Sequence, residues 1–212
     1  MKVPFFPYSD LYFEDQDAYQ TIFNDVSSKG AFILQKELED FENILCDYTG
    51  SNYALGMGNA TDALEIGLMA GGLKKGSEVI ISSHTMIATA SAIVVAGAIP
   101  VPIDCGNDHM IDVTKIESAI TEKTSAIMPT QLNGRVCEMD AIFKIADKHN
   151  LEVYEDSAQA LGAKYKNQTA GTFGIAGCIS FYPAKTMGCF GDGGALLIQD
   201  KEVYKKAKLI RD

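Results

Sequence analysis

The residues with the clearest chemical potential lie in three short stretches. In SFYPAKTMGCFGDGG, Ser180 to Gly194, Lys185 follows an apolar run and precedes a glycine-rich turn, with no acidic neighbour before Asp192. An amine placed there can act as a nucleophile toward an aldehyde, although a loop lysine is more often simply solvated. Ser180, at the start of the same stretch, could offer its hydroxyl to an anion. In EDSAQA, Asp156 ends another apolar run. A carboxylate at that point could hold a protonated ring nitrogen, bind a metal or cap the segment that follows, and Gln159 stands close enough in sequence to assist. In GMGNATDAL, Gly56 to Leu64, small residues carry a short strand into a helix, which leaves the first backbone N–H groups of that helix open to a phosphate. Asn59 could equally cap the helix with no ligand involved. As a dinucleotide fingerprint the stretch fails, because Thr61 stands where the third glycine is needed.

The elements that must position these residues follow from the hydrophobic pattern. Apolar runs bounded by turn residues predict strands at 53–57, 78–82, 99–103, 124–130, 151–156, 178–182 and 195–199. Helical spacing occupies Thr61–Gly71, Thr85–Gly97, Val113–Ile120 and Met139–His149, with a looser helical stretch from Ala158 to Gly174; Gln35–Tyr48 and Lys201–Asp212 also read as helices. This alternation predicts an α/β fold, a mainly parallel seven-stranded sheet covered by helices. Only Pro183 to Gly194 joins the last two strands, too little chain for a crossover helix, so one antiparallel strand is expected there. No repeat or linker-like tract interrupts the chain, which reads as one domain. All three loops then leave the same edge of the sheet. They supply a phosphate cradle, a carboxylate for a ring nitrogen and an amine for an aldehyde, the three handles of pyridoxal phosphate.

From about Gly30 to Asp212, through NATDAL, SSHTMIATASAI, QLNGR, EDSAQALGAKY, AGTFG and SFYPAKTMGCFGDGGAL, the chain resembles the sugar aminotransferases of the DegT/DnrJ/EryC1/StrS family, which have the type I aminotransferase fold. The resemblance implies pyridoxal 5'-phosphate as cofactor, with Lys185 joined to its aldehyde, Asp156 at the pyridinium nitrogen and Gln159 beside the ring. It places Asn59, Ala60, Thr61 and Ser180 around the phosphate. Met86 falls where many relatives carry an aromatic residue on the ring face, and His84 is a possible substitute in that role. The implied reaction moves an amino group from an amino acid, commonly glutamate, to a nucleotide-linked keto sugar, in a homodimer. Because the chain's net charge is negative, an anionic sugar nucleotide would have to rely on local donors such as helix N-termini and Arg135. Residues 1–212 would form the cofactor-binding large domain, with an N-terminal arm at about 1–30. The family's small C-terminal domain would follow LIRD, where the last helix has no stop signal. Three alternatives remain: a dehydratase of the same family, whose C3-dehydrating members carry His in place of the lysine; a cofactor-binding fragment or regulatory protein without turnover; and a nicotinamide-dependent dehydrogenase.

Composition narrows the classes further. The 212 residues carry 18 Lys+Arg against 28 Asp+Glu, a net charge of −10 without a basic cluster, so nucleic acid is not an expected partner. The five cysteines form no CxxC pair and have no histidine at metal-ligand spacing, which reads as reduced thiols in a cytoplasmic protein with no metal site. The N-terminus lacks the charged and apolar regions of a secretory signal. The apolar run from Met86 to Ile103 is broken by Thr89, Ser91, Pro100 and Pro102, and predicts a buried helix running into a buried strand rather than a membrane span.

Overall fold

Val79, Ile80 and Ile81 follow one another without a polar break, and a strand that is apolar on both sides is stable only between two covering layers. A computed structural model describes residues 3–212, leaving Met1 and Lys2 of the expected arm outside the described residues, and shows those layers. Two helices, α1 (Tyr8–Glu14) and α2 (Gln16–Lys29), open the chain and bury no residue. They are followed by α3 (Lys36–Thr49), β1 (Tyr53–Met57), α4 (Ala60–Ala70), β2 (Glu78–Ser82), α5 (Ile87–Val95), β3 (Ile99–Ile103), α6 (Val113–Ala119), β4 (Thr124–Met128) and α7 (Met139–His149). The remainder comprises β5 (Glu152–Val153), β6 (Glu155–Asp156), β7 (Lys164–Tyr165), β8 (Gln168–Thr169), β9 (Ala176–Ser180), β10 (Gly194–Ile198) and α8 (Lys201–Arg211).

The strands run in the order β3-β2-β4-β5 and β6-β9-β10-β1. β5 and β6 are successive pieces of one extended stretch, interrupted at Tyr154, whose N–H still donates to the Ile127 carbonyl at 3.1 Å. A parallel bridge between Thr130 and Asp156 continues the pairing, so the two halves form one surface of seven strands. Within this surface β10 is the strand that runs against the common direction, antiparallel to β9 and β1, as the short Pro183–Gly194 connection predicts. It therefore begins at the edge where the parallel strands end.

Side chains alternate between two cores. Leu55, Val79, Ile81, Tyr154, Leu196 and Ile198 face α4 and α5, whereas Ile80, Ile127 and Val153 meet α6 and α7, and Ala54, Ile179 and Leu197 meet α3. This period of two sets the site: Asp156 shares the face of Tyr154 and of α5, while Glu155 points to the other side. Glu155 is fully buried and accepts hydrogen bonds from the N–H groups of Gly171, Phe173 and Gly174 and from the Gln131 amide. Burial pushes its carboxyl above the usual carboxylate range, opposed by those four donors.

Two expectations need correction. The stretch 158–174 is not helical: it is a series of turns carrying the β7–β8 hairpin, whose two loop residues Lys166 and Asn167 both have positive φ (48° and 71°). A two-residue loop of that geometry matches the right-handed twist of the strands it joins. The apolar run from Met86 gives α5 and β3 as expected, but α5 is buried on one face only, with Val94 58% and Val95 63% exposed. β3 is an edge strand, the position in which Pro100 and Pro102 cost no ladder hydrogen bond. Among the described residues no helix is long and apolar enough to cross a membrane.

Candidate active site

The loops leaving the C-terminal ends of β1, β2, β4, β6 and β9, together with the start of β10, enclose a cavity of about 670 Å³. Eight of the nine residues expected at the cofactor line it: Asn59, Ala60, Thr61, Met86, Asp156, Gln159, Ser180 and Lys185. At the base of α4, Asn59 does cap the helix, its Oδ1 accepting from the Asp62 N–H at 2.9 Å. The next two N–H groups, of Ala60 and Thr61, have no acceptor among the described residues and stand at the positive end of an 11-residue helix. Gly194 lets β10 begin directly against this turn, because a Cβ there would lie 2.4 Å from the carbonyl carbon of Asn59 and 2.6 Å from the Ala60 nitrogen. Gly194→Ala is therefore expected to push the two elements apart and lower stability by about 1–3 kcal/mol, read as a shifted urea midpoint. An unchanged midpoint would show that the close approach matters little.

On the opposite wall Asp156 is 3% exposed. Its Oδ1 accepts from the Ala158 N–H at 3.1 Å and from the Cys178 thiol at 3.5 Å, and its Oδ2 accepts from the Thr89 hydroxyl at 2.5 Å. Burial, reinforced by the negative charge of Asp156, drives the Cys178 thiol well above its usual pKa, so it stays a donor. Since Thr89 commits its proton to the carboxylate, Thr85 must donate to Thr89 (2.7 Å) and Thr130 to Thr85 (2.8 Å). The result is a directed chain of three hydroxyls ending on Asp156. None of these threonines was singled out by sequence, because 85, 89 and 130 meet only when β2, α5 and β4 are assembled.

Lys185 is half-buried on the same cavity wall, with its backbone N–H donating to the Tyr182 carbonyl. No ion pair among the described residues includes Lys185 or Asp156. Ser180 is buried at the end of β9, its Oγ accepting from the Tyr182 N–H at 3.3 Å. Gln159 ties two loops together: its Oε1 accepts from the Asn133 N–H at 3.2 Å and its carbonyl from the Gly134 N–H at 2.9 Å. Met86 reaches the cavity but is 63% exposed. His84 is not on the cavity wall. Its Nδ1 turns toward the His109 carbonyl at 3.1 Å, and the two imidazole rings meet edge to face, which draws it off the ring-face role expected for it. Arg135 is exposed and lies outside the cavity lining as well.

These observations test the fit of pyridoxal phosphate. A buried carboxylate held only by neutral donors lacks a positive partner, and a protonated ring nitrogen supplies one. The free N–H pair of α4 suits a phosphate, and Lys185 is an amine not tied to any acid. One molecule with an anion, a cationic ring and an aldehyde matches all three.

A sheet with one antiparallel strand and these groups gathered at its edge defines the large, cofactor-binding domain of the aminotransferase class. Comparison with known proteins agrees. The chain belongs to the DegT/DnrJ/EryC1/StrS aminotransferase family, whose description matches residues 14–212. It is 38% identical over 212 residues to dTDP-3-amino-3,4,6-trideoxy-alpha-D-glucose transaminase of Streptomyces venezuelae, covering all of this chain and 56% of that protein. The crystal structure of S. venezuelae DesV in complex with a ketimine intermediate superposes with a TM-score of 0.95 at 38% identity, covering 100% of this chain and 57% of that one. NtdA from Bacillus subtilis, with the cofactor PMP bound, gives a TM-score of 0.91 at 34% identity over 97% of this chain and 47% of its own. The chain thus spans about half the length of the relatives it matches.

Proposed function

We propose that this chain is the cofactor-binding part of a pyridoxal-phosphate-dependent aminotransferase that moves an amino group from an amino acid, glutamate by preference, to a nucleotide-linked keto sugar. The observation that carries the reading is the meeting, around one cavity, of Lys185, the cation-lacking carboxylate of Asp156 and the free N–H pair of Ala60 and Thr61. The bound cofactor would supply a cationic ring able to accept the electron pair released when the donor's Cα–H bond breaks. Everything else falls to the protein. Ala60, Thr61 and the Ser180 hydroxyl would hold the phosphate, with Asn59 fixing the turn. Asp156 would keep the ring nitrogen protonated, since a carboxylate in a buried site strongly favours a charged partner. Gln159 and Met86 would bound the ring. Lys185 would carry the aldehyde through Nζ in the resting enzyme and, once displaced by the donor, take the Cα proton as general base.

The sugar nucleotide is anionic and the chain carries a net charge of −10, so binding rests on local donors rather than on the overall field. We read the protein as a cytoplasmic homodimer; five free cysteines are in keeping with a reducing compartment. Lys185 itself argues against the dehydratase alternative.

The test begins with pyridoxal phosphate added to the protein: a visible absorption band and, after borohydride, a mass increase on the peptide containing Lys185 are expected. Glutamate should then discharge the band, and nucleotide-linked keto sugars should restore it. A band that no amino acid discharges would leave only the reading without turnover, and absence of any band would remove both. The role of the hydroxyl chain has its own expected result. Thr89→Val removes one charge-assisted hydrogen bond from Asp156 and should weaken cofactor binding by roughly 10-fold to 100-fold, with Thr89→Ser restoring it, as followed by spectral titration.

A further inference from the structure

Away from the cavity, the loops after β2 and β3 bring two of the chain's three histidines to a thiol. His84 lies between β2 and α5, and Cys105 and His109 between β3 and α6; one imidazole nitrogen from each histidine and Sγ of Cys105 all lie within 4.8 Å of one another. We propose that these three side chains form a binding site for a single divalent transition-metal ion of the zinc type, independent of the aminotransferase reading.

The donor set decides the class of ion. Two imidazoles and a thiolate, with no carboxylate among them, favour zinc or cobalt(II) over magnesium or calcium. The hydrogen bond already described orients the His84 ring: a carbonyl can only accept, so Nδ1 donates to it and Nε2 is the nitrogen left to bind a metal. A histidine whose second nitrogen donates to a backbone carbonyl is the arrangement found at metal-ligating positions. Cys105 and His109 belong to one closed turn, in which the Gly106 N–H donates to the Met110 carbonyl and the His109 N–H to the Gly106 carbonyl, both at 2.9 Å, and Cys105 bridges to Ile111. The neighbouring acids are engaged elsewhere, Asp104 with Lys115 at 3.0 Å and Asp108 with the Met110 N–H at 3.1 Å.

Tetrahedral zinc with bonds of about 2.0–2.3 Å holds its ligand atoms roughly 3.3–3.6 Å apart, so the donors need close by no more than about 1.5 Å. Both histidines are exposed and Cys105 half-buried, which leaves them rotamer freedom to do so and leaves a fourth position open to water. Binding replaces the thiol proton, released to solvent, with a sulfur–metal bond. It also ties the loop that carries Met86 to the 105–109 turn, and so stiffens one lip of the cavity.

Cobalt(II) titrated into the full chain should bind with one-to-one stoichiometry, giving a thiolate-to-metal charge-transfer band in the near ultraviolet and intense visible bands of tetrahedral symmetry, both displaced by zinc. Cys105→Ser should abolish the charge-transfer band, while Cys46→Ser keeps it. His84→Gln and His109→Asn should each weaken zinc binding at least tenfold; asparagine at 109 tolerates the left-handed backbone (φ 67°), so the turn survives. Zinc should raise the melting temperature of the wild type and leave that of Cys105→Ser unchanged. The proposal is overturned if the wild type takes up neither metal stoichiometrically, or if Cys105→Ser and His109→Asn bind with the wild-type spectrum and affinity.

Discussion

Lys185→Ala is expected to lower amino transfer at least about 10³-fold and to abolish borohydride labelling, while the protein still folds. Two functions rest on one amine: attachment of the cofactor and transfer of the Cα proton, each of which alone is worth roughly two or more orders of magnitude. The fold should tolerate the loss, because Lys185 is half-buried in a turn held by its backbone N–H to Tyr182 and takes part in no ion pair among the described residues. Circular dichroism and melting temperature should match the wild type within a few degrees. A small alkylamine added to the variant should restore part of the proton transfer, seen in single-turnover kinetics with glutamate, without restoring the covalent label. That split separates a chemical role from a merely structural one. If Lys185→Ala kept more than a tenth of the wild-type rate, Lys185 would not be the base.

What the sequence made legible, and what it hid, divides along the range of the interactions. Strand and helix positions came through because the cores on both faces of the sheet impose local periods: Val79, Ile80 and Ile81 read as a two-sided strand, and Asn59 before ATDALEIGLMA as a capped helix. The antiparallel β10 was legible from chain length alone. The segment 158–174 was not, because its conformation is dictated from a distance: Glu155 gathers the N–H groups of Gly171, Phe173 and Gly174 around a buried carboxylate, and no local pattern announces that. The Lys166–Asn167 turn was a weak local signal, since only one of its two residues is a usual occupant of the left-handed region. The same limit applies at the site. Asp156, at the end of the strand expected over 151–156, could be placed by counting, whereas Ser180 falls in the middle of the expected strand 178–182 and ends the observed one; the threonines that orient Asp156, and the approach of His84 to Cys105 and His109, depend on which loops the sheet order makes neighbours.

That hydroxyl chain makes Asp156→Asn a sharper test than truncation. With aspartate, protons point toward the carboxylate along Thr130, Thr85 and Thr89, and Oδ1 accepts from Ala158 and Cys178. With asparagine, Oδ1 can keep both of those donors while Nδ2 donates to Thr89; each threonine then turns its hydroxyl, Thr89 donating to Thr85 and Thr85 to Thr130. The relay stays continuous, but the second N–H of the amide and the hydroxyl proton of Thr130 lose a paired position, so the substitution removes the charge and leaves two donors to find new acceptors. Stability should fall by about 1–2 kcal/mol. Amino transfer at saturating cofactor should nevertheless fall about 10³-fold, equivalent to about 4 kcal/mol of barrier, because a neutral amide cannot hold a ring nitrogen in its protonated, electron-accepting form. Asp156→Ala confounds this loss with an emptied volume and an orphaned Thr89 hydroxyl, and should cost more stability than the asparagine does. Unfolding in urea and the glutamate half-reaction, measured on both variants, separate the two effects. Were Asp156→Asn to transfer amino groups within tenfold of the wild type, the negative charge of this buried residue would have no part in the chemistry.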